Sequence, residues 1–168
     1  MRFKKIIVFL VLNFLFFGTN FLHGETWKNL RNIGSEFEVA IEYLPKDAKK
    51  IGLTRNRLIT VVELRLRREG ITIIDISKSD FEPPLVYINV NVVGKAFNVS
   101  LNIYERIQLK RIPGSQGLSA NVWQINQTGT HADDPEYIVS ALNKLFDDFF
   151  NDYYKANPKK KEVSHGSL

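Results

Sequence analysis

Residues 85–104 read Leu-Val-Tyr-Ile-Asn-Val-Asn-Val-Val-Gly-Lys-Ala-Phe-Asn-Val-Ser-Leu-Asn-Ile-Tyr. Val86, Ile88, Val90 and Val92 fall on one parity; Tyr87, Asn89 and Asn91 fall on the other. Beyond a turn at Gly94 and Lys95, Phe97, Val99, Leu101 and Ile103 alternate with Asn98, Ser100 and Asn102. Period 2 on both sides of a glycine turn is the pattern of a long β-hairpin. One face is aliphatic and needs a cover, whereas the other is rich in asparagine and tolerates water. The rest of the chain reads as the cover for the aliphatic face.

Upstream, 25–35 is a lead-in around Trp27. Glu36 to Leu44 then alternates, with Phe37, Val39, Ile41 and Tyr43 on one face and Glu36, Glu38 and Glu42 on the other. This predicts a half-buried strand ended by Pro45, followed by a basic connection over 46–50. Thr54 is placed as the N-cap of a helix whose stripe is Leu58, Val62 and Leu66, widened by Ile59 and Val61. Gly70 stands where a left-handed C-cap is wanted. Ile71, Ile73, Ile74 and Ile76 predict a short strand, and Pro83-Pro84 an extended entry into the hairpin. Downstream, 112–118 is a loop and 119–128 a further strand carrying Trp123 and Ile125. Asp133, Pro135 and Glu136 together make a capping-box start for a second helix. Its seam is Ile138, Leu142, Leu145 and Phe149, broadened by Ala141, Phe146, Phe150 and Tyr153, and Asn157-Pro158 stops it. The element order is β-α-β-β-β-β-α. The expected fold is α+β: a single mostly antiparallel five-stranded sheet with both helices packed on its aliphatic face.

A chain of 168 residues has room for one sizeable core. Its formal charge of +5 is uneven. Arg2, Lys4 and Lys5 lie at the start and a net three positive charges lie in 155–168, which leaves 25–154 at −1. A near-neutral body argues against nucleic acid as a partner. The basic start and the apolar run from Ile6 to Phe17 predict a signal peptide over 1–24, with no membrane span once it is cut; an uncleaved anchor is the alternative, since Leu22 is a poor residue three before the cut. A single domain over 25–158 and a disordered basic tail over 159–168 complete the division. There is no cysteine, so disulfides and a cysteine-linked lipid anchor are excluded. These features predict a bacterial periplasmic or secreted protein.

No residue pattern assigns a catalytic group, a cofactor or a metal. Of three histidines, His23 and His165 fall in the leader and the tail. His131, beside Asp133 and Asp134, reads as part of a capping loop, with a metal site as the sharper alternative. Strict alternation points Glu105 into the core; a β-bulge near Tyr104 that resets the parity is the preferred reading. Arg65 falls within the apolar arc of the first helix and reads as a snorkelling side chain at its edge, with an ion pair to an acid as the alternative. The candidate interaction face is Tyr87, Asn89, Asn91, Asn98, Ser100, Asn102 and Tyr104, since amides and tyrosines combine adaptable hydrogen bonding with rigid contact area; a solvated face kept uncharged is the alternative reading.

The segments Leu53-Thr-Arg-Asn-Arg-Leu58, Val62-Glu-Leu-Arg-Leu-Arg-Arg-Glu-Gly-Ile71, Val86-Tyr-Ile-Asn-Val-Asn-Val92 and Phe149-Phe-Asn-Asp-Tyr-Tyr-Lys-Ala-Asn-Pro158 resemble a group of small exported bacterial proteins. The element order is also similar to α/β domains of envelope-assembly proteins, such as the N-terminal domain of the Tol-system translocation protein and the curli-secretion lipoprotein. The resemblance implies an envelope setting and maps no catalytic residue, and fold does not set function. The expectation is a non-enzymatic binding or assembly module that uses the Asn/Tyr-rich sheet face or a strand edge toward an envelope protein, with homo-oligomer formation open. On this reading, lysine at Asn91 and Asn102 leaves the fold intact and abolishes the complex. The alternatives are a small metal-dependent hydrolase around His131 and a protease-inhibitor-like module presenting 112–118.

Overall fold

A computed structural model describes residues 25–78, 82–112 and 117–158. The leader, the basic tail and the middle of the 112–118 loop lie outside the described residues. The elements are a 3-10 turn Thr26–Leu30, β1 Glu36–Ile41, α1 Lys46–Lys50, α2 Arg55–Arg68, β2 Thr72–Ile73, a 3-10 turn Ile76–Lys78, β3 Leu85–Val93, β4 Ala96–Ile107, β5 Leu118–Thr130 and α3 Glu136–Ala156.

The hairpin forms as its alternation dictates. Val93 pairs with Ala96 across a two-residue turn, and Gly94 adopts φ +57° at the first turn position, which a type II′ turn reserves for glycine. Val86, Ile88, Val90, Val92, Phe97, Val99, Leu101 and Ile103 are all buried. Across from Phe97 stands Gly129. A Cβ built there would come within 2.8 Å of the Phe97 ring, so glycine lets the ring lie over the neighbouring strand.

The sheet is mixed rather than mostly antiparallel, and its spatial order is β2-β1-β3-β4-β5. β1 is parallel to both β2 and β3, while β3, β4 and β5 are antiparallel neighbours. The cause is α2. Parallel neighbours need a crossover that carries the chain back to the starting end of the sheet, and α2 is long enough to do so between β1 and β2.

The ends of α2 follow from its sequence. Thr54 Oγ1 accepts the Arg57 N–H at 3.2 Å. At the other end Gly70, at φ +76°, donates to the Arg67 carbonyl, and Ile71 N–H donates to the Leu66 carbonyl, both at 3.0 Å. That is a Schellman motif, with Ile71 and Leu66 both buried beside it. Asp134 Oδ1, not Asp133, accepts the Glu136 N–H at the start of α3, so the capping box does not form. Instead Glu136 pairs with Arg57 and Asp147 with Arg65. Start meets start, so α2 and α3 run parallel on one face of the sheet.

Other corrections are local. The connection 46–50 is the short helix α1, which buries Ala48. β1 stops at Ile41, and Tyr43 is 79% exposed with its ring under the Lys49 ammonium at 4.0 Å. β2 keeps only two residues, and Ile76 is exposed. Arg65 takes the ion-pair alternative: half-buried, it lies over the Phe150 ring and pairs with exposed Asp147, and its Nε is buried without a partner among the described residues.

α3 is the main cover. Phe146 and Phe149 are fully buried, with Phe150 and Tyr153 nearly so, and side chains of this size contribute about 1.5–3 kcal/mol each when removed from water. Trp123 Nε1 donates to Asp152 Oδ2 at 2.9 Å, which fastens the helix to β5. Tyr153 Oη donates to the Gly34 carbonyl at 2.8 Å. Tyr154 Oη meets the Glu69 carbonyl at 3.0 Å and its Oε2 at 2.9 Å, which ties the C-terminal ends of the two long helices together.

Burial, and after it the hydrogen bond and charge of Glu69, push the Tyr154 hydroxyl up to about 12. An unfolded tyrosine releases its proton near 10.0, so between these values the folded chain holds a proton that the unfolded chain has lost. Stability is therefore intact below the lower value and falls as pH rises toward the higher one. Urea titrations from neutral pH to about 12 should show this alkaline loss, and Tyr154→Phe should reduce its slope. An unchanged slope would place the loss elsewhere.

Candidate functional site

The helices leave the opposite face of the sheet bare. Register places Leu85 beside Tyr104, Tyr87 beside Asn102, Asn89 beside Ser100 and Asn91 beside Asn98. All seven candidate residues therefore share this outer face. The next strand carries the pattern on: Thr128 lies beside Asn98, Asn126 beside Ser100 and Gln124 beside Asn102. Sequence reasoning missed these residues, although they alternate with Trp123 and Ile125 in the same period. From β3 to β5 the central face is a field of amides and hydroxyls without charge. Glu38 of β1 and Glu42, just past its end, border this field with negative charge.

The amides are cross-connected. Tyr87 Oη donates to Glu42 Oε2 at 2.6 Å, and Asn89 Nδ2 donates to the same oxygen. Asn91 Nδ2 donates to Asn89 Oδ1 at 2.7 Å, and Asn98 Nδ2 to Thr128 Oγ1 at 3.0 Å. Asn102 lies at the centre. Its Nδ2 donates to Ser100 Oγ at 3.1 Å and to the Tyr87 carbonyl at 3.4 Å, while its Oδ1 accepts from Asn121 Nδ2 at 3.1 Å. The hydrogen bond to Glu42, then burial, then the Glu42 charge raise the Tyr87 hydroxyl above the usual tyrosine range.

Asn102 is only 9% exposed, which changes the expectation for a lysine there. A buried amide held on three sides cannot be replaced by an ammonium without losing those bonds and desolvating a charge. Asn102→Lys is expected to cost about 2–3 kcal/mol of stability, read as a lower urea midpoint. Exposed Asn91 tolerates the same change within about 0.5 kcal/mol. Equal midpoints for the two variants would contradict the burial argument.

At one end of the face the Tyr87 and Tyr104 rings meet edge to face, with centroids 5.9 Å apart. They wall an open cleft of about 360 Å³ together with Glu38, Pro83, Leu85 and Arg106. Arg106 is paired with Glu82. The bulge expected near Tyr104 exists, but it lies in β5. Ile103 faces Trp123 and Tyr104 faces Asn121, so Val122 is the extra residue. β4 keeps its alternation, and Glu105 is half-exposed near the end of the sheet rather than enclosed in the core.

His131 is placed away from this cleft, at the hairpin turn. It is 1% exposed. Nδ1 accepts the Asp133 N–H at 3.0 Å, which puts the ring proton on Nε2, and Nε2 donates to the Gly94 carbonyl at 2.8 Å. Both ring nitrogens are thus engaged by backbone, and neither lone pair is left for a metal. Asp133 instead pairs with Lys95 at 3.2 Å. Among the described residues, no group of three or more His, Asp or Glu side chains is arranged to hold a metal ion, and no helix is long and apolar enough to cross a membrane.

No protein-family model matches the chain, and no curated protein matches it. Among solved structures it is similar to a minor lipoprotein from Acinetobacter baumannii, at 7% identity and a TM-score of 0.27, over 72% of this chain and 88% of that chain. A likeness at that level carries neither family nor function.

Proposed function

We propose that this chain is a non-enzymatic binding or assembly module of the bacterial envelope, periplasmic or secreted, and that it engages a protein partner through the bare face of its sheet. The observation that carries the reading is the uncovered field of neutral amides over β3, β4 and β5, ending in the Tyr87–Tyr104 cleft. Side chains already cross-connected lose little freedom on binding, and preorganisation of this kind favours affinity. The tyrosines supply the rigid aromatic anchor that such contacts use. The basic start of the chain, its apolar run and the resemblance to exported proteins support the envelope setting.

The test is cross-linking in the native envelope with the protein as bait and mass spectrometry as readout. Asn91→Lys combined with Tyr104→Ala alters an exposed amide and one wall of the cleft while sparing Asn102. The expected result is a reproducible partner that this variant loses while its thermal midpoint moves by no more than a few degrees. A partner retained at wild-type yield by the folded variant would overturn the face as the binding surface.

A further inference from the structure

We infer that the free edge of β5 is a self-association surface, at which a second copy of this chain adds its own β5 antiparallel across a two-fold axis. This surface shares β5 with the sheet face proposed above, but it uses the backbone groups of the strand edge rather than the side chains of the face. β5 is the outermost strand, and β4 is its one neighbour in the described sheet. Its sequence over Leu118–Thr130 contains no charged residue and no proline. Edge strands that stay solitary are normally blunted by one or the other, by a bulge, or by being very short; the bulge that β5 carries, at Val122, lies outside the 124–130 run. The opposite edge obeys that rule, since β2 is two residues long.

The direction of the backbone groups follows from one bond. His131 N–H donates to the Lys95 carbonyl at 3.1 Å, and these two residues stand one step beyond the Ala96–Thr130 pair. In an antiparallel ladder the bonded pairs alternate. Gly129, Gln127 and Ile125 therefore bond toward β4, whereas Thr130, Thr128, Asn126 and Gln124 aim N–H and C=O away from the sheet. Further along, the Val122 carbonyl is taken by Asn29 Nδ2 at 2.9 Å. The open edge is thus 124–130.

A two-fold axis at Gln127 satisfies all of these groups at once. Gln124 of one copy then faces Thr130 of the other, and Asn126 faces Thr128, each exchanging a pair of backbone hydrogen bonds. On the helix side Ile125 meets Gly129, and Gln127 meets itself. No like charges face each other, which is the requirement a homotypic edge must meet. The neutral edge lacks the charged positions that would select a different partner.

Sedimentation velocity on the purified chain, from micromolar to near-millimolar concentration, tests this. The wild type is expected to show a monomer–dimer equilibrium. Asn126→Lys with Thr128→Lys sets two lysine pairs directly opposite each other across the axis and should raise the dimer Kd by about thirtyfold or more. Asn126→Lys with Thr128→Glu sets opposite charges at the same places and should keep the dimer. Both positions are exposed, so far-UV circular dichroism should match the wild type, and thermal midpoints taken at concentrations where every form is monomeric should lie within a few degrees of it despite the lost Asn98–Thr128 bond. A wild type that stays monomeric throughout would overturn the inference, as would a double-lysine variant that dimerises normally. Loss of the dimer in the Lys/Glu variant would overturn the axis at Gln127.

Discussion

Phe149→Ala is expected to lower folding stability by about 3–5 kcal/mol, among the largest losses a single truncation can produce here. The ring is fully buried. Its centroid lies 5.3 Å from Trp123 on β5, 5.2 Å from Phe150, 5.9 Å from Tyr153, and 6.4 Å from both Phe37 on β1 and Phe146. Phe149 thus joins β1, β5 and the helix that spans them. All five of these contacts are edge-to-face or tilted, the geometry in which ring quadrupoles attract. Truncation leaves a void whose walls belong to rigid strands and a long helix, so little of it can collapse. A domain of this size holds about 5–15 kcal/mol in all, so the loss is a large share of the total. Urea unfolding should show a much lower midpoint with an unchanged slope. A loss under about 1 kcal/mol would mean that α3 does not pack as described.

His131→Ala is expected to cost about 2–3 kcal/mol without any change in metal content. The side chain bridges the hairpin turn to the loop that launches α3. Its Nε2–H meets the Gly94 carbonyl and its Nδ1 meets the Asp133 N–H. Ala132 and Asp133 next to it hold φ of 47° and 64°. Non-glycine residues adopt that region only when their surroundings hold them there. Alanine removes the holding group, opens a small cavity and leaves both backbone groups to compete for water. His131→Gln keeps a donor and an acceptor and should recover part of the loss. Protein purified without chelator should carry less than one equivalent of metal, equally in the wild type and in His131→Ala. A stoichiometric metal lost on substitution would overturn the structural role.

Much of the architecture was legible in local patterns. The hairpin, the stripe Leu58, Val62 and Leu66, the Thr54 and Gly70 caps and the aromatic seam of α3 all lie where period and chemistry placed them. Each depends on interactions a few residues apart, which is why sequence shows them. Strand direction departs from the antiparallel expectation, with β1 parallel to both its neighbours. Parallel neighbours need a crossover, which a helix between two strands can supply, and α2 supplies it between β1 and β2. The candidate face was legible as parity, while its inner order was not. Nothing local distinguishes exposed Asn91 from buried Asn102, because the difference is made by Asn121 and by the Tyr87 carbonyl, 19 and 15 residues away.

Composition and periodicity alone established one aliphatic sheet face, the two helices that cover it and a second face made of uncharged amides. Those follow from the alternation of side chains along an extended chain and from the cost of leaving aliphatic surface in water. Which strands become neighbours, which edge stays open, and where His131, Arg65 and Asn102 find their partners were settled by the folded chain. Such contacts join residues distant in sequence, and their energies depend on burial and register that exist only once the sheet and helices have come together.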